Sequence, residues 1–386
     1  MSFLFFRCIL TSEIQGINSY YSGEGDANVM IKQMIDIQLS ETKKQKPDSS
    51  KLVFGKSFTD HMFIADYNEE QGWTDHRIVP YEPLTIDPAA IIFHYGQTVF
   101  EGLKAYLSKE GTIKLFRPEE NMRRMNLSSE RLCMPQINEE LALDALKQLL
   151  LVEKDWIPSA EGTSLYIRPF IIATEPDLGV TPSKFYKFMI ILSPVGSYYK
   201  EGIHPVKILV ENEYVRAVSG GTGTAKTAGN YAAGLKAQEI ASEKGYSQVL
   251  WLDGVERKYI EEVGAMNVFF KVNGEVITPA LNGSILEGVT RKSVLQLLRH
   301  WDIPVTERKI SMDEIRTAHN EGLLEEAFGT GTAAVISPIG EFNWKDEKFV
   351  VNNGETGLVS QKLYEELTSI QTGTAEDLFD WIVEVD

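Results

Sequence analysis

Ser219-Gly-Gly-Thr-Gly-Thr-Ala-Lys-Thr-Ala-Gly-Asn-Tyr231 carries a single charge, Lys226, among small and polar residues. Three readings fit it. One is a solvated loop lysine. The second is a phosphate-binding loop, because Gly220 to Thr227 matches G-x-x-x-x-G-K-[ST] except that Ala225 replaces the last glycine. Val249-Leu-Trp-Leu-Asp253 even resembles the apolar run and aspartate that hold magnesium in such proteins. Against it, Glu211, Glu213 and Arg216 separate the preceding strand from the loop, and Asp253-Gly254 is itself a turn signal. The third is a lysine that forms an imine with an aldehyde cofactor: small neighbours leave room for a flat ring, and lost hydration makes the amine more nucleophilic.

If that ring is pyridoxal phosphate, a carboxylate must face the pyridine nitrogen, and a helix N-terminus and an arginine must hold the phosphate. Tyr259-Ile-Glu-Glu-Val-Gly-Ala-Met-Asn267 reads as a strand, so Glu261 and Glu262 point to opposite faces, one solvated and one inward. Ser284-Ile-Leu-Glu-Gly-Val-Thr-Arg-Lys-Ser-Val294 runs from a turn into a helix ending near His300, and the Gly288, Val289 and Thr290 amides form a candidate anion cradle, with ordinary capping as the alternative. Phe328-Gly-Thr-Gly-Thr-Ala-Ala-Val335 is a second small-residue turn. It fits the dinucleotide variant G-x-G-x-x-A, but Glu321 to Ala327 reads as helical where a strand is required.

Around these motifs, Val206–Val210 reads as a strand, 231–244 as a helix, and two hairpins turn at Asp253-Gly254 and Asn273-Gly274. Upstream, 52–116 alternates strand-like runs and loops, 119–131 and 138–153 are helical, and Ser164–Ile172 and Lys187–Leu192 are strands. Ser193 to Gly202, with its turn residues, is the linker candidate. The expected organisation is an appendage over 1–29, a small α/β domain with an N-terminal arm over 30–197, a linker over 198–206, and a larger α+β domain over 207–386.

The 386 residues carry 38 basic against 55 acidic side chains, a net charge of −17, which argues against a nucleic-acid or acidic-membrane partner. The hydrophobic fraction of 43% with 24% charged residues fits a soluble globular chain. Two cysteines, Cys8 and Cys133, exclude a disulfide framework and suit a reducing cytoplasm. No two of the six histidines stand three to five residues apart, so no metal is expected. Arg7 interrupts the apolar opening, which is too short to span a membrane and lacks signal-peptide features.

Five stretches together carry a resemblance: Phe93-His-Tyr-Gly-Gln-Thr-Val-Phe-Glu-Gly-Leu-Lys104, Ala225-Lys-Thr-Ala-Gly-Asn-Tyr231, Tyr259 to Asn267, Leu286-Glu-Gly-Val-Thr-Arg291 and Gly329-Thr-Gly-Thr-Ala-Ala334. In that order they closely resemble the branched-chain amino acid aminotransferases, fold-type IV pyridoxal-phosphate enzymes, and most closely bacterial members of the long-form group. The resemblance implies two domains with the cofactor between them, a homodimer whose partner subunit closes the site, and reversible amino transfer between leucine, isoleucine or valine and 2-oxoglutarate. It makes Lys226 the imine lysine and proton shuttle, Glu262 the partner of the pyridine nitrogen and Tyr231 the donor to the phenolic oxygen. Arg124, in Asn121-Met-Arg-Arg-Met125, matches the phosphate arginine, with Gly288, Val289, Thr290 and Thr332 as further cofactor contacts. Tyr95, with the Thr332 and Ala333 amides, matches the substrate-carboxylate site. Phe54, Phe100, Tyr166 and Tyr198 match pocket walls, with Arg168 a polar support near Tyr95 and Tyr166. D-amino acid aminotransferases and aminodeoxychorismate lyases share the scaffold and stay as alternatives, with the nucleotide loop a remote one. Vertebrate members carry a Cys-x-x-Cys pair where this chain has Ala334 and Ser337, so no thiol switch is expected there, and Cys133 is expected to be a buried structural thiol.

Overall fold

The computed structural model describes residues 35–196 and 203–386. Two nine-stranded sheets organise them. The first draws on β1 (Asp36–Ile37), β2 (His61–Asn68), β3 (Gly72–Pro80), β4 (Thr98–Phe100), β5 (Leu103–Leu107), β6 (Ile113–Phe116), β7 (Ser164–Ala173) and β8 (Phe185–Val195). The second uses β9 (Val206–Val210), β10 (Gln248–Leu252), β11 (Ile260–Val263), β12 (Met266–Val272), β13 (Glu275–Pro279), β14 (Val305–Arg308), β15 (Leu324–Gly331), β16 (Val335–Trp344) and β17 (Glu347–Val350). A last strand, β18 (Ile382–Val385), returns to the first sheet and pairs antiparallel with β6. The first sheet runs β1-β3-β2-β8-β7-β5-β6-β18 with β4 beside β7, and the second runs β11-β10-β9-β16-β15-β12-β13-β14 with β17 beside β16. The helices are α1 (Ile91–Tyr95), α2 (Pro118–Arg131), α3 (Glu139–Val152), α4 (Ala228–Glu243), α5 (Val289–His300), α6 (Met312–Asn320) and α7 (Leu358–Thr372).

Side-chain period explains both cores. Leu165, Ile167 and Ile171 alternate along β7 and so share one face, which packs with Ala142, Leu146 and Leu149 of α3. Asn138 caps α3 by accepting from the Leu141 amide at 3.0 Å, and Glu139 and Glu140 in the first turn favour the positive end of the helix dipole. In the second sheet Val268 and Phe270 face one core while Phe269 faces another, against Val294 and Leu298 of α5 and Leu363 and Leu367 of α7. A strand covered on both faces has no reason to alternate polar and apolar residues, hence the unbroken Val268-Phe-Phe270 run.

Several expectations need correction. Asn273 and Gly274 do form the tight turn, both with positive φ (48° and 81°). At Asp253-Gly254 there is instead a wider loop, held by the Asp253 carboxylate accepting from the amides of Val255, Glu256, Lys258 and Tyr259. Much of Glu321 to Ala327 is strand, not helix, because β15 begins at Leu324, inside the sheet between β12 and β16. The turn after it joins two antiparallel strands, so a dinucleotide loop fails for lack of a following helix. Ser193 to Val195, assigned to the linker candidate, complete β8. Cys133 is exposed rather than buried, one residue past the Leu132 cap of α2 with φ 55°.

Candidate active site

The backbone of Lys226 is fixed on two sides before its side chain makes any contact. Its amide donates to Ser128 Oγ on α2 at 2.9 Å, and its carbonyl accepts from the Phe100 amide at 3.0 Å. Asn230, in the first turn of α4, clasps the small-residue loop by donating to Thr222 O and Ala225 O, both at 2.8 Å. Gly223 is required here, since a Cβ would run into the Ser284 backbone. The lysine therefore projects from a rigid base, and its Nζ lies 2.7 Å from the Tyr231 hydroxyl one turn along α4. These contacts leave no room for a nucleotide loop: its lysine bonds Tyr231, and its supposed magnesium aspartate is spent on backbone amides.

Lys226 opens onto a cavity of about 210 Å³ lined also by Arg124, Arg216, Tyr231, Glu262, Gly288, Val289, Thr290 and Thr332. Glu262 sits opposite Trp251 on β10 and Asn267 on β12. It accepts from the Leu286 amide at 2.8 Å, and Arg216 Nε lies 3.1 Å from its Oε2 as an ion pair without hydrogen-bond alignment. Burial raises the Glu262 pKa, with Arg216 and the Leu286 amide pulling the other way. Glu261 does turn to a different environment, but it is not solvated: it is as buried as Glu262 and accepts from Ser284 Oγ and, at 3.1 Å, from Asn282. The expected contrast of exposure is absent; what separates the two acids is that Glu262 borders the cavity and Glu261 does not.

Gly288, Val289 and Thr290, the candidate anion cradle, border the same cavity. No side chain caps α5 at Gly288, so the first amides of the helix face the cavity without a protein acceptor from a cap. Asn267 shapes this turn by donating to Leu286 O at 2.9 Å, and it comes so close to Gly288 that any Cβ would overlap its Oδ1. Arg124 is buried beside the cradle. Its Nε and Nη2 make a two-pronged bond to Glu101 at 2.7 and 2.8 Å, and Nη1 donates to Glu287 O at 2.9 Å. Burial would raise the Glu101 pKa, but Arg124 more than offsets it and holds the carboxyl below its ordinary range.

The substrate-side residues are only partly assembled. Phe100 packs on Tyr231 at 4.8 Å, Arg168 lies 4.7 Å above the Phe100 ring and donates to the Tyr166 hydroxyl at 3.0 Å, and Phe54 meets Tyr166 edge-on at 4.8 Å. Tyr166 nests against Gly102, where a Cβ would strike its hydroxyl. Thr332 Oγ1 donates to Gly102 O at 3.1 Å, and Ala333 O accepts from Lys104 Nζ at 2.8 Å, which ties the Thr332–Ala334 turn to β5. Tyr95 does not join the cavity: it is exposed on α1 and its hydroxyl donates to Leu178 O, so Arg168 supports Tyr166 but not Tyr95. Tyr198 lies outside the described residues.

Sequence reasoning missed Glu101, Ser128, Asn230 and Asn267 as supports, and treated Arg216 only as an obstacle to a nucleotide loop. Glu101 had a usable signal, since an acidic residue inside an otherwise apolar Thr98 to Leu103 run must be paired when buried. Asn267 and Arg216 had none short of the fold.

Residues 98–342 match the family described as amino-transferase class IV. The chain is 66% identical over 356 residues to the branched-chain-amino-acid aminotransferase 2 of Bacillus subtilis, covering 92% of this chain and 98% of that one. It is 58% identical to a probable branched-chain-amino-acid aminotransferase of Staphylococcus aureus, covering 92% and 99%. Among solved structures, the branched-chain amino acid aminotransferase of Escherichia coli superposes with a TM-score of 0.70 at 26% identity, covering 85% of this chain and 99% of that one. With this fold, and with a lysine, a carboxylate and a helix start gathered on one cavity, the chain belongs to the class IV amino-transferases and, within them, to the branched-chain-amino-acid aminotransferases.

Proposed function

We propose that the chain catalyses reversible transfer of an amino group between L-leucine, L-isoleucine or L-valine and 2-oxoglutarate, yielding branched-chain 2-oxo acids and L-glutamate, with pyridoxal 5′-phosphate in the cavity. The observation that carries this is the placement of Lys226 Nζ, the Glu262 carboxylate and the uncapped start of α5 around one cavity, each held by its own set of backbone bonds. The donor set fits the cofactor. Gly288, Val289, Thr290 and Arg124 suit the phosphate, Glu262 the pyridine nitrogen and Tyr231 the phenolic oxygen, with Thr332 bordering the same space.

When bound, the cofactor supplies an electron sink for the reacting carbon. The chain does the rest. Lys226 Nζ takes the α-proton of the amino acid and returns it on the reverse path, and the Tyr231 hydroxyl keeps the amine aimed. Arg216 holds Glu262 in place, and Glu101 fixes the plane of Arg124. Phe100, Tyr166 and Phe54 offer apolar surface to a branched side chain, while Arg168 gives the same region a cation for the second carboxylate of glutamate. The Thr332 and Ala333 amides are assigned to the substrate carboxylate, on the turn that Lys104 secures.

We further infer a homodimer in the cytoplasm. Exposed Phe93 and Tyr95 on α1, with exposed Leu178, whose carbonyl accepts from Tyr95, and Val180 two residues on, support a second copy covering that face. Among the described residues no helix is long and apolar enough to cross a membrane. The proposed domain division follows the two sheets, with β18 crossing back to the first. A visible spectrum that changes on adding L-leucine but not D-alanine, followed by formation of glutamate from 2-oxoglutarate, supports the reading. A response to D-alanine alone rejects it in favour of the D-amino acid alternative.

A further inference from the structure

Away from the cavity, a buried charged cluster closes the neck of the loop that carries Phe54. Ser40 and Lys44 lie on the N-terminal arm, while Thr59, Asp60 and His61 lead into β2. The Ser40 amide donates to His61 Nε2 at 2.8 Å, the Lys44 amide donates to Asp60 Oδ1 at 2.8 Å, and Lys44 Nζ donates to Thr59 O at 2.7 Å. Because Nε2 accepts an amide proton, the imidazole hydrogen sits on Nδ1 and is given to Glu153 Oε1. Glu153 Oε2 also accepts from the Asp60 amide, and Asp60 Oδ2 accepts from Trp156 Nε1 at 2.9 Å. Asp60, His61 and Glu153 are all at most 6% exposed. Both oxygens of each carboxylate and both imidazole nitrogens have a partner; a buried network paired in this way is rigid, and losing one partner strands the others.

Within the loop the bonds are mostly local, a Ser49–Lys51 turn capped by Asp48, and nearer its end Phe58 stacks on Tyr81. Residues 48 to 56 are mostly exposed, and Phe54 itself is half exposed with its ring against Tyr166. A segment of this kind keeps one position only if its ends are fixed, since each free residue adds conformers. Phe54 is tied to its neighbours through those ends.

We propose that Asp60, with the His61–Glu153 pair, is a positioning device that closes the 44–60 loop and so holds Phe54 at the branched side chain of the substrate. The inference rests on the pocket reading given above. Neither these three residues nor Phe54 lines the cavity itself; Phe54 reaches it through Tyr166, Arg168 and Phe100, which packs on the cavity-lining Tyr231, so the three act through that chain of contacts and not on the reacting atoms.

The test is a double-mutant cycle in the full-length, cofactor-loaded protein, using Asp60→Asn, Phe54→Ala and both together. Asn keeps an acceptor for Lys44 but turns an amide donor toward Trp156. Expected is a rise of about 10-fold in KM for L-leucine with either single variant, little change in kcat, and a double variant no worse than the worse single one. Trypsin cleavage at Lys51 and Lys56 should also speed up in Asp60→Asn, a readout independent of turnover. If Asp60→Asn does not fold, Ser40→Pro removes the amide that reaches His61 without touching the buried acids and carries the same cycle. Effects that multiply in the double variant, or unchanged cleavage, overturn the inference. A wild-type protein inactive on L-leucine overturns the pocket reading instead, and the cleavage assay still decides whether the neck closes the loop.

Discussion

The residues proposed for the cofactor and those proposed for the substrate are built in differently. Of those proposed for the cofactor, Lys226, Glu262 and Arg124 are each tied to a backbone group or hydroxyl of another element, Tyr231 bonds Lys226 directly, and these and the start of α5 border one cavity within one chain. Among those proposed for the substrate, Phe54 rides on an exposed loop with its ring edge against Tyr166, Tyr95 is exposed on a surface helix, and Arg168 joins Tyr166 to Phe100. The contrast fits their tasks. Proton transfer needs reacting atoms placed within tenths of an ångström, whereas a pocket that must take an isobutyl group and then a carboxylate benefits from parts that adjust.

If the cofactor side is the preorganised one, its variants should fail hardest. Lys226→Ala should lower turnover by at least ~10³-fold, the upper range for loss of a general acid–base group. Borohydride reduction followed by peptide mapping should find the pyridoxyl mass on Lys226, and a label on any other lysine would sink the assignment. Next, Glu262→Gln should cut kcat by roughly 10- to 100-fold, equivalent to losing a charge-assisted hydrogen bond of about 1.5–3 kcal/mol. Glu261→Gln should instead lower the melting temperature and spare kcat, because its partners are Ser284 and Asn282 rather than the cavity. The reverse ranking would refute the division of labour between the adjacent acids.

The substrate side should show selective rather than total loss. An unpaired carboxylate in an aromatic pocket costs several kcal/mol, so a cation must meet it. Arg168 has a buried Nε without a hydrogen-bond partner and sits over the Phe100 ring, whose centroid also lies 5.0 Å from Lys226 Nζ. Arg168→Met should therefore slow the 2-oxoglutarate half-reaction at least ~10-fold more than the leucine half-reaction in single-turnover measurements. Equal slowing of both would place Arg168 in general support of the pocket.

The same contrast explains what was legible in the sequence. Cofactor-side residues announce themselves through local necessity: a lone lysine among small residues, paired acids in a strand, a glycine before a helix. Their second supports arrive from far away in the chain, as Ser128 does for Lys226 and Asn267 for Gly288, and no local pattern carries such a contact. The period argument separated the faces of Glu261 and Glu262 but mistook burial, because β11 is covered on both sides. Leu324–Ala327 was misread as helix since a short acidic segment with Leu and Ala has high helix propensity, which the ladder between β12 and β16 overrides. Cys133 misled for a simpler reason. Cysteine is usually buried, yet this one falls on the turn that ends α2.

The smallest expected effect lies where the two sides meet, at Lys104. Burial lowers its pKa from 10.5 to about 8, and its Nζ donates to Ala333 O, a bond available to the ammonium and to the neutral amine alike. Below pH 8 the folded protein bears the full cost of a dehydrated charge. Between about 8 and 10.5 the folded state releases this proton while the unfolded state keeps it, so stability gains with rising pH at this position. Lys104→Met removes that titration. Relative to the variant, the wild type should therefore gain in urea midpoint between pH 7 and pH 9.5, on the order of 0.5 M for a protein with an ordinary denaturant slope. The variant should also raise KM more than it lowers kcat, since the loosened Thr332–Ala334 turn is assigned to the substrate carboxylate and not to proton transfer. Parallel midpoints for the two proteins across that range would mean that the Lys104 ammonium stays hydrated in the folded protein.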